Sequence, residues 1–315
     1  MISVALCTCN GEDFLPAQLN SLLGQRRLPD ELVVCDDASD DATFAILEAF
    51  ALRAPFVVNL YRNKKRMGIG ANFNRAIDLC SGEIIAVCDQ DDVWMPEKLA
   101  RFTRAFASGA GWVCCDAKVV DEMLCPLGYS LWERVAFSSR EKKLAQQGRC
   151  FEILLKHFVV AGATLAFRAE LRKALSPIPD DWQYDAWLST MLAATARGAL
   201  VDASLQCYRQ HRRNAVGGTR RSFSSDIRAA FSLDRNAHYQ HELSRWSKLA
   251  GRLEGVASAD IADKLANKIA HIRRRAGLPT NRLARLPSVA AETARGGYFR
   301  YARNWGSIAL DLLVK

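Results

Sequence analysis

The sequence predicts an α/β protein, with a mostly parallel sheet covered by helices on both faces and a helical C-terminal extension. Short runs rich in β-branched residues alternate with segments whose apolar residues recur at helical spacing. This alternation is typical of parallel sheets that are buried on both faces. From about Ser222 onward the pattern changes to helices with Arg- and Lys-rich faces. We therefore predict an α/β domain at residues 1–218 and a basic helical region at residues 219–315.

The individual elements follow in order along the first domain. Five runs are predicted to be strands: Ile2–Cys7, Glu31–Cys35, Phe56–Leu60, an apolar run from Glu83 that ends at Asp89, and Trp112–Cys115. Helices are predicted around Leu15–Leu23, from Thr43, around Phe73–Cys80 and after Pro96-Glu97-Lys98. The longest apolar run, Phe158–Phe167, has the length of a strand and falls short of a membrane-spanning helix.

The charge of the chain is concentrated at its end. Residues 1–217 hold 25 Lys/Arg against 26 Asp/Glu, a net of −1, whereas residues 218–315 hold 18 against 8, a net of +10. A neutral body with a cationic end predicts an anionic surface as partner, either lipid headgroups or nucleic acid.

The N-terminus and the cysteines predict the compartment. A strand begins almost at once, at Ile2, which leaves no room for a signal peptide. Most of the ten cysteines lie inside apolar segments, where a thiol behaves as a small hydrophobic group. We therefore expect a protein that starts in the cytoplasm. The chain holds no pair of Cys-x-x-Cys motifs, so a structural zinc ion is not expected.

Three carboxylates follow the fourth predicted strand in the segment Asp89-Gln90-Asp91-Asp92. The carboxyl ends of strands are where open α/β sheets bind ligands. Three neighbouring anions repel one another unless a cation or several donors compensate them. A hard divalent cation that leaves room for phosphate oxygens is one solution. The alternative is a solvated acidic turn in which Asp92 caps the next helix.

Several segments then carry a resemblance to a known family. They are Thr8-Cys9-Asn10-Gly11, Asp36–Thr43, Gly68–Phe73, Ser81-Gly82-Glu83, Asp89–Trp94, Ala161–Arg168, Tyr184–Trp187 and Tyr208–His211. Their order and spacing resemble the family 2 inverting glycosyltransferases with the A-type nucleotide-diphosphosugar fold. Within that family the chain looks most like bacterial rhamnosyltransferase-like enzymes of polysaccharide assembly. The resemblance covers roughly residues 1–218.

The resemblance implies a metal-dependent transfer with inversion. Asp89 and Asp91 correspond to the outer positions of the family's Asp-x-Asp motif, and His211 follows at a position that contacts phosphate or metal. The metal would be Mg²⁺ or Mn²⁺, held beside the diphosphate. Asp185 matches the catalytic carboxylate, the general base; Asp180 and Asp181 compete with it if the alignment shifts. Asp92 is expected to cap the next helix or to touch the donor sugar.

The resemblance also implies a nucleotide site for a UDP- or dTDP-sugar. The residues expected to contribute to it are Thr8, Cys9, Asn10, Asp37, Arg66 and Asn72. Asp37 would accept a hydrogen bond from the ring N–H of a pyrimidine, and Arg66 would contact phosphate. The family commonly has an aromatic residue where this chain has Cys9, so mainly backbone contacts are expected there.

The composition of the C-terminal region predicts where in the cell the protein acts. Aromatic residues alternate with arginines over Tyr298–Trp305, and an apolar segment follows. This composition resembles an interfacial amphipathic helix, so we expect an anionic membrane surface as partner. The acceptor would be a saccharide or a lipid-linked saccharide at the inner face of the cytoplasmic membrane. The alternative is a helical hairpin packed on the catalytic domain.

Two other classes of function remain open at this point. Clustered carboxylates and a basic tail also occur in metal-dependent nucleic-acid enzymes, although the neutral charge of residues 1–217 argues against nucleic acid as a partner. A non-catalytic relative that only binds sugar nucleotide is the other alternative. Such a relative is expected to lack a metal carboxylate or the base, and the chain has candidates for both.

Overall fold

The computed structural model describes residues 1–214 and 234–314, which form two compact units. The first contains Met1–Gly148 and the described residues from Val159 to 214; the second contains Arg149–Phe158 and the described residues from 234 onward. The predicted boundary at 218/219 lies outside the described residues. The segment Arg149–Phe158 joins the second unit because its side chains pair there. Glu152 Oε1 lies 2.9 Å from Lys264 Nζ, and the ring of Phe158 stacks on Trp246.

One half of the central sheet is parallel. Its strands run in the order β3-β2-β1-β4, and each of these pairs is parallel. The strands are β1 (Ile2–Thr8), β2 (Glu31–Asp36), β3 (Val57–Arg62) and β4 (Ile84–Asp89). Each lies within a residue or two of a run that the sequence predicts as a strand. The carboxyl ends of these four strands therefore lie at one edge of the sheet.

The other half of the sheet is mixed. Its strands are β5 (Val93–Trp94), β6 (Trp112–Val120), β7 (Pro126–Ser130), β8 (Leu165–Arg168) and β9 (Gly198–Arg209). The order continues from β4 as β8-β6-β9-β5, with β7 paired to β6. β8 runs antiparallel to both β4 and β6, whereas β9 runs parallel to β6. The apolar run 158–167, which the sequence predicts as strand-sized, forms a 3₁₀ turn at Gly162–Thr164 before it becomes β8.

Fourteen α-helices accompany the sheet within residues 1–214 and 234–314. In chain order they are α1 (Leu15–Leu23), α2 (Thr43–Ala51), α3 (Ile69–Leu79), α4 (Lys98–Ala107), α5 (Leu131–Arg134), α6 (Ser139–Gln146), α7 (Cys150–Leu154), α8 (Arg172–Leu175), α9 (Tyr184–Thr195), α10 (Arg235–Leu253), α11 (Ala259–Ala276), α12 (Arg282–Ala294), α13 (Gly297–Tyr301) and α14 (Asn304–Leu313). α7 and α10–α14 belong to the second unit.

Helices lie on both faces of the parallel half. Alternate residues of a strand point to opposite faces. Val4 and Leu6 of β1 belong to one apolar cluster with the buried residues of α1, α2 and α4. α3 packs on the other face, where the side-chain amide of Asn72 donates to the carbonyl oxygen of Cys35, 2.8 Å away. The predicted α/β architecture with a helical C-terminal region is confirmed.

The second unit is held together by buried ion pairs as well as by apolar contacts. Asp311 is fully buried and accepts hydrogen bonds from Arg275 and from the hydroxyl groups of Tyr239 and Tyr298. Glu292 is 3% exposed and accepts from Arg274. Within residues 1–214 and 234–314, no helix has the length and apolarity that crossing a bilayer would require.

Candidate active site at the carboxyl edge of the parallel strands

The loops after β1, β2 and β4 meet at one edge of the sheet because these strands are adjacent, parallel and in register. Thr8 lies opposite Asp36, and Cys7 lies opposite Asp89. Parallel strands present their carboxyl ends at the same edge, and ligands of open α/β sheets bind there. Of the eleven site residues predicted from the sequence, seven lie in these three loops or at the strand ends that precede them, and the structure brings them together at this edge.

Asp37 orders the basic loop that follows β3. Its carboxylate accepts hydrogen bonds from Asn63 Nδ2 (2.8 Å), from the backbone N–H of Met67 (2.7 Å) and from that of Gly68 (2.9 Å). A carboxylate has about four acceptor positions, so one is left after these three bonds. Asp37 therefore has a clear structural role, and its predicted contact with a base would use the remaining position.

The two other predicted residues of this region differ in exposure. Asn72 is buried, and its side-chain amide bonds to the carbonyl oxygen of Cys35 and to Asn63. In this structure Asn72 connects the basic loop after β3 to the backbone of β2, so any contribution to nucleotide binding would be indirect. The side chain of Arg66 is 56% exposed and lies 3.6 Å from Asp40. Arg66 is therefore the member of this pair that a phosphate group could reach.

Gln90 fastens the loop after β1 to the acidic segment. Its side-chain carbonyl accepts from the backbone N–H of Cys9 (2.9 Å), and its side-chain NH₂ donates to the carbonyl oxygen of Cys9 (3.0 Å). Thr8 Oγ1 donates to Asp36 (2.9 Å). The backbone groups of Cys9, which the sequence offered to a base, are therefore engaged by Gln90. No local pattern in the sequence predicted this contact.

Asn10 adopts a left-handed backbone conformation, with φ of 50°, which asparagine tolerates better than most residues. Its side chain pairs twice with Asp40: Nδ2 donates to the carboxylate (2.6 Å), and Oδ1 accepts from the backbone N–H (3.0 Å). The loops after β1 and β2 are thereby tied together, and Asn10 stays partly exposed at their surface.

Asp89 lies in an electrostatic environment that opposes its negative charge. Burial and the negative charge of nearby Asp91 raise its pKa to about 7. The hydroxyl of Tyr184 donates to Asp89 Oδ1 at 2.9 Å and offsets part of this effect. Burial, followed by the charge of Asp89, raises the pKa of Tyr184, which keeps this hydroxyl protonated. The positive charge of Lys98 acts in the same direction as this hydrogen bond, but the pKa of Asp89 is still raised.

His211 lies beside Asp91, with its Nε2 atom 2.9 Å from Asp91 Oδ2. The ring also contacts the ring of Phe14, with 4.4 Å between the ring centroids and the planes tilted by 30°. Its Nδ1 atom accepts a hydrogen bond from the backbone N–H of Arg213 (3.1 Å). In the neutral ring, this contact places the proton on Nε2, which then donates to Asp91. Phe14 and Arg213, which sequence reasoning did not identify, set this orientation.

Asp92 does not cap the next helix, so that part of the prediction is wrong. The two-residue strand β5 separates Asp92 from α4, whose N-cap residue is Glu97. Asp92 is instead 1% exposed, and it accepts from Gln206 Nε2 (2.8 Å) and from the backbone N–H of Arg209 (3.1 Å). Burial and the charges of Asp91 and Asp89 raise its pKa well above the ordinary value. A contact with the donor sugar stays a prediction.

Lys98 is a buried cation that sequence reasoning missed. Its ammonium group donates to the carbonyl oxygen of Ala163 (2.6 Å) and to the side chain of Gln206, and it lies 3.7 Å from the centre of the Trp94 ring. Burial lowers its pKa below the ordinary value. The sequence does carry a signal: Lys98 is in helical register with the buried residues Phe102 and Phe106.

Asp185 lies in the first turn of α9 and accepts a hydrogen bond from the backbone N–H of Ala186 (2.7 Å). Burial raises its pKa above the ordinary value. Its competitor Asp180 is exposed. Trp182 and Trp187 are 4% and 2% exposed and pack edge to face against each other, so both belong to the core.

The donor set at the end of β4 fits a divalent cation. Carboxylate oxygens suit Mg²⁺ and Mn²⁺. Burial and the charge of Asp91 raise the pKa of Asp89, and a bound cation would oppose this rise by stabilising the ionised carboxylate. Among the residues that the structure describes, no three His, Cys, Asp or Glu side chains are grouped closely enough to hold a metal ion by themselves. A metal ion here would take its other ligands from phosphate and water oxygens.

The acidic segment lies in the part of the chain that matches a known family. The family described as "Glycosyl transferase family 2" matches residues 3–172. This span includes Asp37, Asp89 and Asp91, whereas Asp185 and His211 lie beyond it.

Two named relatives match shorter segments. The dTDP-rhamnosyl transferase RfbG of Shigella flexneri is 35% identical over 98 residues, which are 30% of this chain and 34% of that protein. The UDP-Glc:alpha-D-GlcNAc-diphosphoundecaprenol beta-1,3-glucosyltransferase WfgD of Escherichia coli is 35% identical over 100 residues, 31% of this chain and 38% of that protein. The chain spans about a third of the length of the curated relatives it matches.

Two solved structures share the fold. Staphylococcus aureus TarS 1-349 in complex with UDP-GlcNAc superposes with a TM-score of 0.58 at 16% identity, over 92% of this chain and 80% of that chain. The mannosyltransferase PcManGT from Pyrobaculum calidifontis in complex with GDP-Man and Mn²⁺ gives 0.55 at 20% identity, over 93% and 75%. At these identities the similarity shows the fold alone.

Proposed function

This chain belongs to glycosyl transferase family 2, and from that premise we propose that it transfers a sugar from a UDP- or dTDP-sugar to a saccharide or lipid-linked saccharide. The transfer inverts the anomeric centre and serves the assembly of O-antigen or exopolysaccharide. The observation that supports this most is the meeting of the acidic segment with the helix of Asp185, through the 2.9 Å bond between Tyr184 and Asp89. The relatives named as rhamnosyl and glucosyl transferases support the substrate class.

The donor nucleotide is proposed to bind over the loops after β1, β2 and β3. Arg66 is an exposed cation of this surface, and Asn10 and Cys9 are partly exposed. Asp37 accepts three hydrogen bonds from the basic loop after β3 and has one acceptor position left for the ring N–H of a base. Rhamnose as the transferred sugar is the more specific expectation, and it rests on the resemblance to RfbG alone.

Asp89, Asp91 and His211 are proposed to hold Mg²⁺ or Mn²⁺. When bound, the cation would neutralise charge on the departing nucleoside diphosphate. Asp91 is partly exposed and adjacent to His211, so it is the side chain placed to make the most direct contact. For Nε2 of His211 to join it as a ligand, the proton on Nε2 must move to Nδ1. The backbone N–H of Arg213 must then turn away.

Asp185 is proposed as the general base. Its raised pKa makes the ionised carboxylate a stronger base than an exposed aspartate. It would take the proton of an acceptor hydroxyl as the oxygen attacks the anomeric carbon and the bond to the diphosphate breaks. One displacement of this kind inverts the configuration at that carbon.

Transfer by wild type and Asp185→Asn, measured against a panel of sugar nucleotides with Mn²⁺, tests the function. The variant should bind the donor almost as tightly as wild type, while its transfer rate falls by roughly 10²–10⁴-fold. NMR of the wild-type product should show the inverted anomer. Normal transfer by Asp185→Asn, or a retained configuration, would exclude this mechanism. Asp180→Asn serves as the control, because Asp180 is exposed and should leave transfer unchanged.

We also propose that the enzyme is peripheral on the cytoplasmic face of the membrane, where a lipid-linked acceptor would lie. From residue 282 to residue 314, the exposed charged side chains are Arg282, Arg295, Arg300 and Arg303. The two acids of this stretch, Glu292 and Asp311, are buried. One face of α14 exposes Trp305, Ala309 and Leu313 at helical spacing. Apolar residues beside exposed arginines are what an anionic interface binds.

A further inference from the structure

We propose that Tyr184 is a positioning residue for the acidic segment, and that its hydroxyl holds Asp89 in the orientation that binds the metal and diphosphate. This inference rests on the proposed function, because it takes Asp89 to be a metal ligand. Tyr184 acts through Asp89, whereas the neighbouring Asp185 acts on the acceptor. One helix end would then control both sides of the reaction.

The hydrogen bond from Tyr184 leaves Asp89 able to bind a cation. The hydroxyl lies 2.9 Å from Oδ1 of Asp89. A carboxylate offers about four acceptor positions, so Oδ2 and one position on Oδ1 stay available. A donor on one oxygen fixes the rotation of the carboxylate. Partners of this kind orient metal ligands, and their loss typically costs 10–100-fold in metal affinity.

The ring of Tyr184 is held in place from two sides. It stacks on Phe73 of α3, with ring centroids 4.1 Å apart and planes 12° apart. On another side it contacts Gly162, where a Cβ atom would overlap the ring and its hydroxyl. Gly162 has an ordinary backbone conformation, so the close approach of the ring accounts for the glycine. A hydroxyl on a ring already fixed in this way loses little further freedom when it binds Asp89.

The same contacts join the two catalytic carboxylates. Tyr184 and Asp185 are consecutive residues in the first turn of α9. The backbone of Gly162, which contacts the Tyr184 ring, also donates a hydrogen bond to Asp185. A shift of this helix end would therefore move the general base and release Asp89 together. The position of the base is in this way coupled to the binding of the diphosphate.

Direct binding of Mn²⁺ in the presence of UDP or dTDP tests the proposal. The electron paramagnetic resonance signal of free Mn²⁺ measures this binding. Tyr184→Phe keeps the stacked ring and removes only the hydroxyl. We expect it to bind Mn²⁺ about 10–100-fold more weakly than wild type, with an unchanged melting temperature. Tyr61→Phe is the matched control. Tyr61 lies three strands from Asp89 in the same row of the sheet, about 14 Å away.

Two further variants make the outcome decisive. Gly162→Ala should weaken Mn²⁺ binding at least as much as Tyr184→Phe, because the added methyl displaces the ring. Asp91→Asn should abolish binding. If Asp91→Asn abolishes it while Tyr184→Phe binds within twofold of wild type, Tyr184 is no more than a packing residue and the inference is wrong. If wild type itself binds no Mn²⁺ with either nucleotide, the metal assignment fails and the inference fails with it.

Discussion

The carboxylates at the end of β4 are partly or fully buried and those of Glu292 and Asp311 in the C-terminal unit are buried, but the surroundings of the two groups differ. Glu292 accepts two hydrogen bonds from Arg274 and one from His271. Although burial acts to raise it, these partners lower the pKa of Glu292 below the ordinary value. Asp89 has a tyrosine hydroxyl as its donor and another carboxylate nearby, and its pKa rises to about 7.

The difference separates a structural ion pair from a candidate functional site. A buried acid with a matched cation is already neutralised, and it contributes to holding helices together. A buried acid beside other acids is destabilising, unless a further cation binds there. Unfavourable arrangements of this kind tend to occur at sites that need them for function. The same substitution should therefore have opposite consequences in the two regions.

The largest effect is expected for Asp91→Asn. The variant should keep its fold, because the change removes a negative charge from a repulsive cluster, and it should lose metal-dependent nucleotide binding and nearly all turnover. Calorimetric titration with UDP or dTDP and Mn²⁺ measures the binding, and circular dichroism confirms the fold. Binding as tight as that of wild type would show that Asp91 does not hold the metal ion.

The reverse outcome is expected for Asp311→Asn in the C-terminal unit. Asp311 is fully buried and is bonded to Arg275 and two tyrosine hydroxyls, so the variant leaves a buried guanidinium without its anion. Removing one partner of a buried pair costs about 3–5 kcal/mol. Urea denaturation should show this loss, while nucleotide binding at low temperature stays near that of wild type. An unchanged free energy of unfolding would mean that the ion pair does not stabilise the unit.

A smaller effect is expected from pH. Asp89 titrates near pH 7 in the folded protein and near 3.9 when unfolded, so the folded state holds the extra proton between these values. Metal-free protein should therefore lose stability as pH rises from about 4 to about 7, by up to about 1.4 kcal/mol per pH unit. Melting temperatures in EDTA measure this slope. Asp91→Asn should reduce it, since the charge of Asp91 contributes to the raised pKa. A slope equal to that of wild type would contradict this explanation.

Local patterns predicted the parallel half of the fold well. The alternation around β1–β4 is encoded in consecutive residues, so periodicity suffices to find these strands and the helices after them. The run that contains most of β8 was predicted as strand-sized, but its antiparallel pairing was not, because the pairing depends on β4 and β6, which lie far away in sequence. The segment Arg149–Phe158 joins the second unit through Lys264 and Trp246 for the same reason.

The site shows the same division. Asp37, Asp89 and Asp91 were predicted from their positions at or just after the ends of strands. Asp185 and His211 were predicted from the family resemblance. Side chains that bridge distant segments were missed: Gln90 bonds Cys9 across 81 residues, and Lys98 bonds Gln206 across 108. Glutamine and lysine fit many surfaces, so their residue types alone did not reveal these contacts. Such bridges explain why Asp92 is buried rather than capping α4.

The smallest effect per residue is expected at the C-terminal surface, and it follows from the same comparison. The buried acids Glu292 and Asp311 are neutralised by partners inside the unit, so the exposed charges of residues 282–314 are all arginines. Each arginine near an anionic membrane contributes about 1 kcal/mol, and exposed Trp305 would add insertion at the headgroup level. Binding to liposomes should therefore rise with anionic lipid and fall with salt.

Charge reversal tests this surface directly. Arg300→Glu combined with Arg303→Glu should weaken co-sedimentation with anionic liposomes by about 10²-fold or more, since two attractive charges become repulsive. Arg101→Glu combined with Arg104→Glu, on an exposed face of α4 in the first unit, is the matched control and should sediment as wild type does. If wild type ignores anionic liposomes at low salt, the exposed arginines and Trp305 have another partner. The C-terminal unit would then be a packing or oligomer interface, and the lipid-linked acceptor would lose its main physical support.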